Sequence, residues 1–333
     1  MINAHNKTVL VTGGAGYIGS HTCMALAKSG YDLVVFDNLS AGHRDFVNWG
    51  QLIEGDLCDH AVIKQVMEEY RPAAIIHFAG LASVKESMSE PAKYYENNVV
   101  GTYNLLNAAH LADVKYVIFS STCAVYGEPQ NIPIEENHPL RPINPYGKSK
   151  LAVEMMLADF DRAYGMKHVS LRYFNAAGAD PEGFIGEDHK PETHLIPLVL
   201  DVALGRSAGI TIFGTDYDTP DGTCVRDYIH VADLADAHLK ALDYLLAGGA
   251  GVALNLGNSR GCSVRDIIKA AKAITGRNIA VEEGSRREGD PPLLVADSKE
   301  AKRILGWEPV YSEIDIIIEH AWQWHLKRFG KSQ

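Results

Sequence analysis

Cysteine is sparse and scattered. Cys23, Cys58, Cys123, Cys224 and Cys262 are odd in number and form no C-x-x-C pair, which argues against a disulfide framework and a structural zinc site and reads them as reduced, small core residues. No metal ligands are assigned. Positive charge is also in deficit: 31 Lys plus Arg stand against 42 Asp plus Glu, a formal net charge of -11, so no overall field attracts nucleic acid. No window reaches the roughly 18 consecutive apolar residues that a membrane helix needs, and Met1 to Lys7 has no signal-like apolar core. These absences predict a cytoplasmic protein with no membrane or nucleic-acid partner. There is no internal repeat or low-complexity tract, and 333 residues with 46% apolar content suffice for one large or two modest cores.

What is present is an alternation. Apolar, β-branched runs at Thr8–Thr12, Leu33–Phe36, Leu52–Glu54, Ala74–Phe78, Tyr116–Ser120 and Val169–Phe174 are separated by helical stretches. Their continuous apolar character predicts strands covered on both faces, hence an α/β fold with a doubly wound parallel, Rossmann-type sheet. The pattern weakens after Ala179, where Pro181 to Pro191 is rich in glycine, proline and charge. A smaller C-terminal α/β substrate domain is therefore expected over 179–333, following a dinucleotide-binding domain over 1–178, with a segment near 225–240 returning to the first. Helices are expected at Ile196–Leu204, Val231–Leu246, Ser263–Ile274 and Ser298–Leu305, with short strands at Gly209–Phe213 and Ala253–Leu256.

The first strand runs into V-T-G-G-A-G-Y-I-G, placing Gly13, Gly16 and Gly19 at G-x-x-G-x-x-G spacing before a helix. Absence of a Cβ permits a tight turn, close approach of backbone to a pyrophosphate, and helix-on-strand packing, while the helix N-terminus faces the phosphates. Asp37 ends the second strand about 20 residues further on, where a carboxylate accepts hydrogen bonds from an adenosine ribose and disfavours a 2′-phosphate. NAD is expected over NADP; a turn or capping role is the alternative for Asp37. Asp56 and Phe78-Ala79-Gly80 lie at further carboxyl ends of the sheet.

Tyr146 and Lys150, in P-Y-G-K-S-K, are spaced i, i+4 and share a helix face. A phenol with a pKa of about 10 is a poor base near neutrality, and a neighbouring ammonium would stabilise its phenolate. Upstream, S-S-T-C-A-V-Y-G brings the Thr122 hydroxyl to a strand end, where it can hydrogen-bond a reacting alcohol or carbonyl.

These motifs in this order resemble the extended short-chain dehydrogenase/reductase family over nearly the whole chain. G-G-A-G-Y-I-G-S-H, V-V-F-D-N-L-S, P-Y-G-K-S-K, L-R-Y-F-N-A-A-G and V-R-D-Y-I-H-V are most similar to its members that invert the 4-hydroxyl of a UDP-sugar. The resemblance implies an isomerase: Tyr146 takes the 4-hydroxyl proton, Thr122 shares that hydrogen bond, hydride passes to bound NAD, and the 4-keto sugar turns over before its return. It implies cofactor contacts from Gly13, Gly16, Tyr17, Ile18, Gly19, Asp37, Asn38, Asp56, Leu57, Phe78, Ala79, Gly80, Asn98, Tyr146, Lys150 and Tyr173. Substrate contacts are implied for Thr122, Asn175, Leu195, Phe213, Arg226, Arg287, Asp290 and Leu294. The arginines would hold the diphosphate, Asp290 the uridine ribose, and Phe213 would pack by the uracil; surface ion pairs are the alternative for the arginines.

Three positions depart from the family pattern. His194 stands where similar members carry an asparagine that touches substrate, Ala82 where some carry a lysine near the cofactor phosphates with Lys85 close by, and Leu294 where side-chain size sets the sugar pocket. The expected pair is UDP-galactose and UDP-glucose, with UDP-N-acetylhexosamines or UDP-pentoses as alternatives. A nucleotide-sugar 4,6-dehydratase would need an acid and base beside Thr122, where Cys123 and Ala124 stand, and a non-catalytic NAD-sensing scaffold would not need Thr122, Tyr146 and Lys150 together. A homodimer is implied through helices at about Pro91–Leu111 and Tyr146–Tyr164.

Overall fold

A computed structural model describes residues 7–287 and 290–330. Most of the Met1–Lys7 stretch read above for a leader, and Glu288-Gly289 of R-R-E-G-D, lie outside the described residues. Seven parallel strands form the main sheet, in the order Val252–Leu256, Lys167–Tyr173, Tyr116–Thr122, Ala74–His77, Thr8–Thr12, Asp32–Asp37, Gln51–Glu54. The chain builds outward from Thr8–Thr12 in one direction and then restarts beside it with Ala74–His77. The crevice between those two strands' carboxyl ends is therefore the point where the strand order reverses, the usual ligand position in open α/β sheets.

Both faces are covered, as the unbroken apolar runs require. Val9, Val11 and Val35 face a cluster completed by Leu234, Leu242 and Leu245 of helix Val231–Leu246, while Leu10, Ile75, Val117 and Phe119 face another that includes Leu105, Val153 and Leu157. A third cluster unites helices Leu195–Ala203, Val264–Thr275 and Ile314–Phe329 beside two small sheets.

The return to the first core is longer than the expected 225–240. Strand Val252–Leu256 closes the large sheet against Lys167–Tyr173, and Ala301 and Trp307 join the same core as helix Val231–Leu246. Its two-sided burial explains this: Leu254 and Leu256 on one face and Asn255 on the other are almost fully enclosed, which an edge strand of a small satellite sheet would not provide. The helix near Pro91–Leu111 contains a π-helical turn at Tyr95–Val100. All five cysteines are free, and Cys58 is exposed rather than part of a core. No described helix is long and apolar enough to cross a membrane.

One buried ion pair ties the central helix to the sheet. Arg172 donates through Nε to Glu154 Oε1 at 2.9 Å and through Nη2 to Oε2 at 2.5 Å, while Ser121 donates to the same carboxylate. Its Nη1 reaches the Tyr126 hydroxyl at 3.0 Å, and Tyr126 donates to Asn255 on the closing strand at 2.6 Å. Removing one partner strands a buried charge. Arg172→Ala is expected to destabilise the fold by about 3–5 kcal/mol, read from chemical denaturation, with the double variant Arg172→Ala/Glu154→Ala losing less than the sum of the two single changes.

Candidate active site

The glycine loop is shaped by contacts that only glycine permits. Gly13 has φ +71°, and a Cβ there would sit 2.5 Å from the Ala79 nitrogen, so the loop is pressed against the end of Ala74–His77. A Cβ on Gly19 would lie 2.2 Å from the Gly13 carbonyl oxygen, which sets how closely the following helix approaches. Gly16 differs: its Cβ would meet only Gly13 O, at 3.3 Å, and otherwise points into open space. Protein packing alone does not require glycine there. Gly16 caps helix Tyr17–Lys28 with no side-chain hydrogen bond and no acidic residue in the first turn, leaving N–H groups and the positive helix end for an anion.

Asp37 is 8% exposed at the neighbouring strand end. Its Oδ2 accepts from Ala15 N at 3.0 Å and its Oδ1 from Leu39 N at 2.8 Å, so the carboxylate braces the glycine loop as well as facing the crevice. Burial raises its pKa and the two backbone N–H groups oppose that. The turn role and the ligand role are thus compatible, because each carboxylate oxygen retains lone pairs. Asn38 donates to Asp56 at 2.8 Å, and Asp56 accepts from Cys58 N at 2.8 Å. That backbone bond, with Asn38 behind it, holds the Asp56 carboxyl below its usual range. Leu57 is buried beside them and its carbonyl accepts from Asn104. Asn98, in the π-helical turn, clasps the segment after Phe78-Ala79-Gly80: its Oδ1 accepts from Leu81 N at 2.8 Å, and its Nδ2 donates to Leu81 O and Ser149 Oγ at 3.0 Å each. Tyr17 donates to Gly178 O at 2.6 Å, and Ile18 packs against the sheet core.

The reacting groups converge from two elements. Asn144 caps helix Pro145–Tyr164 by accepting from Gly147 N at 2.8 Å, and Pro145 takes the first helical position, where a missing N–H costs nothing. Gly147 lets this first turn reach the S-S-T-C-A segment, since a Cβ would lie 2.5 Å from Ala124 O. The half-buried Tyr146 hydroxyl consequently meets Thr122, whose Oγ1 also accepts from Ala124 N at 3.1 Å. Burial pushes the phenol up to about 12, and the Thr122 hydrogen bond acts in the opposite direction. One turn on, Lys150 is buried, with Nζ 3.0 Å from Ser120 O and 4.9 Å from the centroid of the Phe119 ring. Burial lowers its pKa to about 8.

Lys150 binds the Ser120 backbone, and burial rather than its charge dominates the phenol. Tyr173 completes the group, hydrogen-bonded to Ser120 and close enough that a charged phenol at 146 would repel its own ionisation.

Beyond Thr122 the chain meets the second set of predicted residues. Asn175 opens the short strand Asn175–Ala177, which pairs with Tyr228–His230. Arg226 lies opposite Leu294 in the adjoining register and donates to Asp290 at 3.2 Å and to Val225 O at 2.9 Å. Arg226, at 13% side-chain exposure, pairs with the more exposed Asp290. The Arg226 charge reaches the Cys123 thiol, and Cys123 and Leu294 both pack against the cluster that contains Phe174. Arg287 is exposed and lies 3.9 Å from the Phe213 ring centroid, a cation–π contact. Leu195 opens helix Leu195–Ala203. Among the departures, Ala82 and Lys85 are exposed at the start of helix Val84–Ser89, and His194 turns to Glu187.

Sequence reasoning missed the supports. Buried Asp227 accepts from Asn258 N at 2.8 Å and from Ser259 N and Ala296 N at 3.1 Å each, fixing the strand that carries Arg226. Its adjacency to Arg226 in V-R-D-Y was the available signal. His77 bridges Thr12 at 2.7 Å and Thr102 at 2.8 Å below the crevice, its pKa lowered to about 3 by burial and by Lys150.

Comparisons with known proteins agree with this geometry. Residues 9–257 match the NAD dependent epimerase/dehydratase family. The chain is 56% identical over 321 residues to a UDP-glucose 4-epimerase of Rhizobium leguminosarum bv. trifolii, covering 96% of this chain and 98% of that protein. It is 54% identical over 323 residues to the UDP-glucose 4-epimerase of Rhizobium meliloti, covering 97% and 98%. The crystal structure of UDP-glucose 4-epimerase from Brucella ovis in complex with NAD superimposes with a TM-score of 0.93 at 53% identity, covering 95% of this chain and 98% of that one.

Proposed function

Because this chain belongs to the NAD dependent epimerase/dehydratase family, we propose that it is an NAD-dependent isomerase that interconverts UDP-galactose and UDP-glucose by inverting the sugar 4-hydroxyl. The observation that carries the reading is the meeting of Tyr146 with Thr122, one helical turn from Lys150, at the carboxyl ends of strands that also present the glycine loop.

The residues present fit the dinucleotide. The open direction at Gly16 and the uncapped start of its helix suit a pyrophosphate, and Asp37 offers carboxylate lone pairs to ribose hydroxyls while repelling a 2′-phosphate. Lys150 and Asn98 converge on Gly80, where a Cβ would lie 3.3 Å from both Lys150 Nζ and Asn98 Oδ1. Bound NAD supplies reversible hydride acceptance, with a nicotinamide that is cationic when oxidised. Tyr146 holds and returns the proton of the sugar 4-hydroxyl, and Thr122 hydrogen-bonds the same oxygen as it becomes a carbonyl and reverts. Arg226, Arg287 and Asp290 grip the nucleotide end. Epimerisation needs that asymmetry, because the keto sugar must present its other face without leaving.

A dehydratase would require a proton donor and acceptor next to Thr122. Cys123, its thiol pushed up to about 12 by burial, supplies neither near neutrality. The nearby carboxylate Glu154 is engaged by Arg172 and Ser121. Homodimerisation is proposed through helices Pro91–Leu111 and Pro145–Tyr164, which expose Val100, Tyr103, Leu111 and Met155. A cytoplasmic location is proposed as well, on the sequence expectations above.

The test is an assay of purified protein with UDP-galactose, UDP-N-acetylgalactosamine and UDP-arabinose, first without and then with added NAD. UDP-glucose should form from UDP-galactose faster than either other substrate is turned over. Failure with all three after NAD is supplied removes the assignment, and faster turnover of the N-acetylated sugar would mean that Leu294 leaves the pocket wider than proposed.

A further inference from the structure

The segment E-D-H-K-P-E-T-H folds so that Glu187, His189, Glu192 and His194 meet, each with one ligand-type atom within 4.8 Å of the others. We propose that these four side chains bind a single divalent first-row transition ion, with Zn²⁺ as the representative species, and that it acts as a structural clip between the two halves of the molecule. The site excludes Tyr146, Thr122 and Lys150, but it adjoins two residues of the proposed binding machinery, since His194 directly precedes Leu195 and His189 meets Tyr17.

The donor atoms already stand close together. His189 Nδ1 lies 3.3 Å from Glu187 Oε1 and 3.6 Å from Glu192 Oε2, and His194 Nδ1 lies 3.9 Å from Glu192 Oε1. Four bonds of about 2.0–2.2 Å at tetrahedral angles put donor atoms about 3.3–3.6 Å apart. The direct contact between His194 and Glu187 must open to admit an ion, and donors standing up to 4.8 Å apart must draw inward. Two imidazoles with two carboxylates suit zinc-like ions better than calcium or magnesium, which prefer all-oxygen shells.

The surroundings hold these ligands in place. Glu192 Oε1 accepts from the N–H groups of Thr193 at 2.7 Å and His194 at 2.8 Å, and Trp324 Nε1 donates to Glu187 O at 3.0 Å. Such outer contacts fix ligand orientation. Glu187 is buried, and among the described residues its recorded side-chain ion pairs are to His189 and His194 alone, with no lysine or arginine. Half-exposed His194 leaves a route for entry.

Position gives the ion its role. His189 meets the Tyr17 ring edge-on, with centroids 6.1 Å apart, at the start of the glycine-loop helix. His194 immediately precedes helix Leu195–Ala203 on the substrate side. An ion there would fix the cofactor and substrate halves relative to each other without touching reacting atoms.

Tag-free full-length protein, treated with chelator and dialysed against Zn²⁺, should retain one ion per chain by elemental analysis. Its thermal midpoint should rise on adding the ion, and Co²⁺ should give the visible bands of a four-coordinate site. His189→Gln and Glu187→Gln should each weaken binding by on the order of a hundredfold or more; should Glu187→Gln fold poorly, the partly exposed His194→Asn replaces it. Absence of retained ion with an unmoved midpoint overturns the proposal and leaves an imidazole–carboxylate network. Undiminished binding in the variants also overturns it, because the ion would then reside elsewhere.

Discussion

Phenylalanine at position 146 should lower the turnover of UDP-galactose by on the order of 10²–10⁴-fold, the usual contribution of a positioned acid or base, while KM changes little and the protein stays folded. The change removes one oxygen and leaves the ring, which packs edge-on to Tyr94 with centroids 6.5 Å apart. Thr122 and Lys150 keep their backbone contacts, so the loss reports proton transfer. Burial sets the size of the problem that the site must solve. With the phenol near 12, only about one molecule in 10⁵ would carry a phenolate at neutral pH. A working base therefore needs more positive charge than Lys150 provides in the NAD-free chain. The ultraviolet titration of Tyr146, taken as the difference between wild type and Tyr146→Phe, should move to lower pH when NAD is bound. Turnover within a few-fold of wild type in Tyr146→Phe would instead support a binding module that retains the pocket without the chemistry.

Why these residues were legible is a matter of range. The glycine loop, Asp37 and P-Y-G-K-S-K each encode geometry within a few residues: a turn needing positive φ, a strand end, a helix face. Gly147 shows the limit of such reading, because its necessity depends on Ala124 O, which lies on another element. Contacts that close the fold are not periodic. Asn255 and Tyr126 are 129 residues apart, and Asp227 reaches Ala296 across 69; no local spacing announces either. The same holds for the extra return of the chain. Val252–Leu256 reads as a short strand anywhere, and only the vacant edge beside Lys167–Tyr173 determines where it lies. Electrostatics was the least readable feature. The i, i+4 spacing gives Tyr146 and Lys150 a shared helix face but says nothing of the burial that raises the phenol and lowers the amine.

That lowered amine gives Lys150→Met an unusual pair of consequences: lost turnover and a more stable NAD-free protein. Lys150 is 4% exposed, and its pKa falls from the ordinary 10.5 to about 8 because burial disfavours the ammonium. Folding thus prefers the neutral amine, whereas the unfolded chain keeps the ordinary value. Between those two values the unfolded state binds more protons, so wild-type stability rises with pH across the window. Below about 8 the ammonium is carried in both states and the burial cost is fully present. That cost is on the order of 3 kcal/mol, offset by about 1 kcal/mol for the hydrogen bond to Ser120. Methionine fills similar space without charge. Near neutral pH the variant should gain about 1–2 kcal/mol in chemical denaturation, and the gain should vanish as pH approaches the ordinary lysine value. Turnover should fall by at least about a hundredfold, since the cation that supports Tyr146 and the cofactor pocket is gone. A variant less stable than wild type at neutral pH would mean that the ammonium is compensated within the fold, and that Lys150 is not a strained catalytic charge.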